Sequence, residues 1–509
     1  MKLLSLIFKE QAKRFGLLII LIIIALETLS YLGYIYPLVH QLAFIVLSLA
    51  ILGITIYRLE YGLLLVLSEL FIGSLGYLFS WSFQSLELGG ENNFAISWRT
   101  VLWLVVLLVF GLKFVLRAYQ ARKTQIPNEY WQKIKSFPLL KFFGLLFIFV
   151  GLGLINGLVR HANPATIFVD FNSWLYFALL FPFIAVYYRA DDQRIKRLKT
   201  VFLAAVVALS LKTLFLLFVF THNILAAPDI YLWLRRTLTG EMTPTKTGWP
   251  RIFMQSQIFS VLGFILVFWF SRVKFTVRSY FKRSGLFYLG LGSLFFSAVI
   301  ISFSRSFWVS LVATLALALL IIWRLFSFKR MLGAILWLAS AIIGSFIIIY
   351  LVVGWPYFKS AQTNLGATLL ARVSDGQEAA LTSRWSLLPE LVKEIKRAPL
   401  LGQGYGATVT YFSQDPRVLA KSPSGQYTTY IFEWSYLDLW LKLGLLGLLA
   451  YLLLLTKIIS RGLKRGPIGL ALGLIFLVVV NIFTPYFNHP LGIGWLLISS
   501  CLIWRDRVY

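Results

Sequence analysis

Arg251, Arg305 and Arg384 each stand at or beside the start of an apolar or amphipathic run, and Glu433 stands at the mouth of another. Arginine stays charged, and its planar fork matches phosphate oxygens two at a time, so arginines placed this way suit the holding of an anion at a membrane surface. Arg305 is the most telling of them. It interrupts roughly 40 apolar residues, where a charge without a purpose or a partner costs roughly 3 kcal/mol. Its plainer reading is a connector arginine snorkelling to lipid headgroups. The stretch TTYIFEWSYLDLWLKLGLLGLLAYLLLL, residues 428–455, begins polar and ends as hydrocarbon, yet keeps Glu433, Asp438 and Lys442. Asp438 and Lys442 are four apart and pair along one helix face, in a structural role or at the border of a polar cavity. Glu27, Glu69, Asp170 and Lys212 lie deeper, inside apolar spans, where ionisable residues are functional suspects or mutual partners; depth favours Asp170 with Lys212.

Composition fixes the kind of element that must hold these residues. The chain has 509 residues, 59% hydrophobic, 17% aromatic and only 13% charged. Apolar runs long enough to cross a bilayer recur from end to end, which predicts an all-α polytopic membrane protein. About fourteen runs are readable, at 16–36, 38–57, 61–80, 97–117, 138–158, 166–188, 199–220, 252–271, 285–304, 306–324, 331–354, 429–456, 466–483 and 488–504. Twelve to fourteen spans are expected, because 285–304 and 306–324 meet without a polar loop and the last two runs are short. The net charge of +28 sits in short connections: 120–135, 189–199, 272–283, 324–330, 457–465 and the tail RDR. That is an orientation signal rather than a nucleic-acid surface, and it puts both termini in the cytoplasm, with the loops 221–251 and 355–428 outside. The basic N-terminus reads as an uncleaved first helix. The single cysteine, Cys501, excludes an intrachain disulfide and a cysteine metal site. Four regions follow: N-terminal helices over 1–250, central helices with arginine-bearing outer ends over 251–354, an extracytoplasmic loop with amphipathic helices over 355–428, and C-terminal helices over 429–509. There is no internal repeat and no separable domain.

Within the long loop, LTSRWSLLPELVKEIKRAPLLGQGYG predicts an amphipathic helix with Trp385, Leu388, Leu391, Val392 and Ile395 on its apolar face, ended by Pro399. The glycines of GQGYG then permit a tight turn. By itself such a helix could lie on the membrane surface.

The order of an Arg-bearing helix, "APLLGQGYG" and then "SYLDLWLKLGLLGLLAYLLLL" resembles the C-terminal signature of the O-antigen ligase and O-antigen polymerase superfamily. "ISFSRSFWVSLVATLAL" (301–317) is similar to that family's Ser-Arg junction, and "WPRIFMQSQIFSVLGFIL" (249–266) is more weakly similar to an earlier arginine-bearing helix start. The resemblance covers residues 248–460. It implies a GT-C-like fold and a bacterial glycosyltransferase of the cytoplasmic membrane, acting in surface polysaccharide biosynthesis. The implied donor is a glycan on undecaprenyl diphosphate, taken at the outer face without metal or other cofactor and with inversion. The acceptor would be a glycan or a lipid, and a chain-length regulator or flippase would be a partner.

The chemistry of such a transfer agrees with the residues. Charge that builds on a diphosphate leaving group needs fixed cations, here Arg305 and Arg251, with Arg384 on the substrate. Arginine cannot take the acceptor's proton. Where the family's pattern opens H-N-S-Y-L with histidine, this sequence has Glu433, a candidate base if its site is dry enough. His489 is the alternative among His40, His161, His222 and His489. Tyr405, Trp434 and Tyr436 are candidate sugar-binding rings; with Trp249, Trp355, Tyr357, Tyr411, Tyr427 and Tyr430 they also fit an ordinary interfacial aromatic belt. Glu433 in place of histidine tilts the reading slightly from ligase to polymerase. The competing class is a lipid-linked-glycan flippase or other transporter, for which inverted repeats and discontinuous helices would speak. There is no D-x-D, P-loop, zinc or dinucleotide signature.

Overall fold

The computed structural model describes residues 2–82, 95–245, 247–271, 283–356, 365–374, 379–420 and 422–505. The inner connection expected at 272–283 (but for Arg283), Tyr357 and the last four residues lie outside these. The described chain is helical throughout, with three two-stranded hairpins as its sheet structure. Nine of the described helical segments are long and apolar enough to cross a membrane, and four shorter apolar helices accompany them. The protein is an all-α polytopic membrane protein. Several of the expected runs are bounded differently. The run at 61–80 is the helix Leu59–Ile72, stopped at Gly73 and turned at Gly76 into the strand Ser80–Ser82. The run at 429–456 becomes a helix only at Ser435, and continues to Arg465.

The chain folds as two compact units, each discontinuous in sequence: residues 1–131 with 185–369, and residues 132–184 with 370–509. In the first, the helix Asp192–Thr221 is the hub, capped by Asp191, whose carboxylate accepts from the Arg194 amide at 2.8 Å. The helices Lys2–Ile35, Leu59–Ile72 and Arg283–Ile301 pack around it. Because it is surrounded, its apolar residues run all round rather than in one stripe. Its one deep charge, Lys212, pairs with Glu27 at 2.9 Å. The expected pairing of Asp170 with Lys212 is therefore incorrect, since depth along a span says nothing about which helices become neighbours. Glu69 is likewise paired, through two bonds of 2.7 and 3.0 Å from Arg99.

In the second unit the helix Ser435–Arg465 packs with Leu140–Val159, Ile468–Val480, Pro490–Ile503 and the amphipathic helix Ala379–Arg397. The buried stripe of Ala379–Arg397 is Leu387, Leu391 and Ile395, set on Val409, Phe432 and Leu441. These three recur every fourth residue, as a helix on a flat surface requires. Trp385, expected on that apolar face, is instead 57% exposed. It lies two residues from the stripe, about 200° around the helix.

Candidate functional site

In the first unit, Arg251 and Arg305 are brought to one corner. Arg251 sits in a hairpin of Glu241–Pro244 with Pro250–Phe253, opposite Thr243. Its Nε donates to the Ser302 carbonyl at 3.1 Å, three residues before Arg305, and Phe253 meets Phe307 with ring centroids 6.2 Å apart. Arg305 is the first residue of the helix Arg305–Leu325, just after Ser304, with Phe303 left-handed at φ 49° to make the sharp reversal. A helix start leaves backbone N–H groups unpaired, and with a guanidinium beside them it is a favourable place for an anion. Trp249, a candidate stacking ring, is buried and unavailable.

In the second unit, the mouth of the helix joins Arg384, Glu433 and Trp434. The Arg384 guanidinium is ion-paired with the Glu433 carboxylate. The Trp434 indole N–H donates to the Arg384 carbonyl at 2.9 Å, and Trp434 meets Trp385 edge-on at 5.3 Å. Glu433 is 50% exposed on its side chain, so the dry surroundings expected for a base are not what this position offers. One candidate ring is corrected. Tyr405 has no exposed surface; its ring packs against Phe171 and Trp174, and it cannot stack on a sugar. Burial, with the charges of Asp170 and Asp438, pushes its hydroxyl well above the ordinary tyrosine range. Tyr436 donates its hydroxyl to the Val478 carbonyl at 2.7 Å, a tie to the neighbouring helix. His489 accepts from the Leu491 amide at 3.3 Å and caps the helix Pro490–Ile503.

Sequence reasoning missed what the GQGYG glycines do. Gly444 has φ 74° and ψ 173°, which breaks the helix Ser435–Arg465 inside the apolar run. The segment 399–404 lies against the break and supplies its missing partners. Leu445 and Leu446 amides donate to the Pro399 and Leu400 carbonyls at 2.9 and 3.2 Å, and Gln403 and Gly404 amides donate to the Leu441 and Lys442 carbonyls at 2.6 and 3.2 Å. Tyr405 N–H reaches the Gly153 carbonyl at 3.0 Å, and Asn156 donates to the Leu401 carbonyl at 3.0 Å. A Cβ on Gly404 would overlap the Gly157 backbone, and one on Gly444 the Leu400 carbonyl. The signal was an isolated glycine within a helical pattern, a mark of close backbone approach.

Beneath the mouth lies a buried charge cluster. Lys442 bridges Asp170 and Asp438, each at 2.6 Å. Asn488 donates to Asp438 at 2.6 Å, the Gly406 amide donates to Asp170 at 3.1 Å, and Lys442 donates to the Tyr430 carbonyl at 3.1 Å. The expected Asp438–Lys442 pair is present; Asp170 and Asn488 join it from segments whose approach no spacing announces.

An all-α polytopic membrane protein with arginines at helix starts and a loop-mended break in a membrane helix is the class these features define. Residues 290–452 match the model of the family described as O-antigen ligase, which supports the O-antigen ligase and polymerase superfamily. No curated protein matches the chain. The matched segment includes Arg305, Arg384, the GQGYG loop, Glu433 and Gly444; Arg251 lies before it. The match supports a membrane protein that ligates or polymerises glycans.

Proposed function

We propose that this protein is a glycosyltransferase of the bacterial cytoplasmic membrane that ligates or polymerises glycan from an undecaprenyl-diphosphate-linked donor at the outer face, with both termini cytoplasmic. The observation that carries the reading is the Arg384–Glu433–Trp434 constellation at a helix mouth within the matched segment. In the reaction the acceptor oxygen bonds to the anomeric carbon as the carbon–oxygen bond to the diphosphate breaks, and the lipid diphosphate leaves with the bonding pair. Arg305 and Arg251 are assigned to the charge that develops on that leaving group, which fixed cations stabilise most where it grows. Glu433 is assigned the acceptor hydroxyl's proton, a role that requires the bound substrate to cover its half-exposed side chain. Arg384 has one guanidinium for two anions: a phosphate oxygen that claims it loosens its hold on Glu433 and leaves the carboxylate available as base. No step is assigned to a metal.

The break at Gly444 favours the second reading, a lipid-linked-glycan flippase or other transporter, because discontinuous helices are common at transport sites. One assay separates the two. Purified protein in detergent, given a synthetic undecaprenyl-diphosphate oligosaccharide and an acceptor, forms a new glycosidic product if it is the transferase. A flippase forms none, because moving a lipid-linked glycan makes no glycosidic bond. In cells, deletion leaving single repeat units indicates a polymerase, and full-length chains stranded on carrier lipid indicate a ligase.

A further inference from the structure

The charge cluster of Asp170, Asp438, Lys442 and Asn488 has no part in the chemistry just assigned, yet it is deeply buried. The side chains of Asp170, Lys442 and Asp438 are 8%, 4% and 2% exposed. Four segments besides the broken helix meet on it: Asp170 from the helix Pro164–Asn172, the Gly406 amide from the glycine loop, the Tyr430 carbonyl from the segment before Ser435, and Asn488 from the turn before Pro490–Ile503. As a plain support it is poorly optimised. Two carboxylates face one ammonium, and the Tyr405 hydroxyl, Ser435 hydroxyl and Asn488 Oδ1 are buried nearby without hydrogen-bond partners. A buried ion pair adds little stability over apolar residues of the same shape, so a cluster of this kind is better explained by what it fixes in place.

What it fixes is the mouth. The Lys442 ammonium donates to the carbonyl of Tyr430, three residues before Glu433, and the same lysine's carbonyl accepts from Gly404. One residue thus ties the segment that presents Glu433 to the loop that mends the helix break. Asp170 and Asp438 hold the ammonium from two sides, and Asn488 and Gly406 orient the carboxylates. We propose that Lys442 is a positioning residue, held by Asp170 and Asp438, that sets the location of Glu433 from within the membrane without touching substrate. This rests on Glu433 acting in the transfer.

The test uses the full chain in nanodiscs, with Lys442→Met, Lys442→Arg and the charge-free triple variant Asp170→Asn, Asp438→Asn, Lys442→Met. Two readouts are taken: steady-state kinetics with a lipid-diphosphate oligosaccharide, and amide hydrogen exchange. Lys442→Met is expected to lower kcat by about tenfold or more while the donor KM stays within about twofold, since the cations that bind donor are elsewhere. Exchange of the amides at 430–434 is expected to quicken by a similar factor, with the other helices protected as before. Lys442→Arg, which keeps a donor for the Tyr430 carbonyl, recovers part of both. If Lys442→Met does not fold, the triple variant, relieved of its buried charges, is expected to fold with the same loss of kcat. A folded charge-free variant with normal kcat and normal protection at 430–434 overturns the proposal. So does exchange that rises throughout the unit, or failure of all three variants to fold, because the cluster would then be a general support. Hydrogen exchange does not depend on the reaction: faster exchange at 430–434 beside a wild-type protein that transfers no glycan would sink the functional reading and leave the positioning role standing.

Discussion

Gly444→Ala tests the loop-mended break most directly. At φ 74° and ψ 173° the backbone occupies a region that is essentially restricted to glycine, and an alanine held there costs of order 1–3 kcal/mol. The new methyl also overlaps the Leu400 carbonyl, so the segment 399–402 must withdraw. That loosens the bonds from Leu445 to Pro399 and from Leu446 to Leu400, each worth roughly 1 kcal/mol net. Together the loss is about 3–5 kcal/mol. By soluble-domain scaling of about 2.1 cal/mol/K per residue, 4 kcal/mol lowers the melting midpoint by roughly 10 °C if the unit of 132–184 and 370–509 melts alone. Thermal unfolding of the purified protein in detergent, followed by tryptophan fluorescence, measures it. Gly447→Ala is no control, since its Cβ would also meet neighbours; Gly151→Ala, where nothing lies within 4 Å, is the matched control and should melt within a degree or two of wild type. A Gly444→Ala protein with the wild-type midpoint would mean that the helix runs through unbroken, and the account of the GQGYG loop would fall with it.

Arg305→Lys keeps the charge but loses the two-pronged geometry, so most transferase activity should vanish while expression and insertion persist; near-normal activity in Arg305→Ala would leave only the snorkelling role. Glu433→Gln should lower kcat by roughly 100-fold or more with donor binding retained, and Glu433→His is expected to restore part of it; full activity in the glutamine variant would send the search for a base to His489. Gln414→Cys, at an exposed position, should react with an impermeant thiol reagent added from outside to cells lacking an outer-membrane barrier, against a low background because Cys501 is buried. Labelling only after lysis would invert the proposed topology.

Residue pattern made most of the elements legible. The helix Arg305–Leu325 and the amphipathic helix Ala379–Arg397 begin and end close to where the apolar runs and Pro399 place them, whereas the hub Asp192–Thr221 starts seven residues before the run expected at 199–220. Local rules govern such boundaries: a run of hydrocarbon must become helix in a bilayer, and caps and prolines act within a turn. Trp385 was misread because two residues along a helix decide between a buried face and an open one, and apolar character alone does not tell them apart.

The sequence by itself determined that this chain is a polytopic helical membrane protein, where its arginines and Glu433 stand on those helices, and which family its middle and C-terminal segments resemble. Only the tertiary structure decided the partners. Arg384 with Glu433 are 49 positions apart, and Asp170 with Lys442 are 272 apart. Nothing in either local pattern encodes the meeting. It also decided that Gly444 ends one helix and starts another, because a glycine in an apolar run tolerates both a helical and a broken backbone. Which of the two it takes depends on whether another segment arrives to satisfy the freed amides and carbonyls, and here residues 399–404 do.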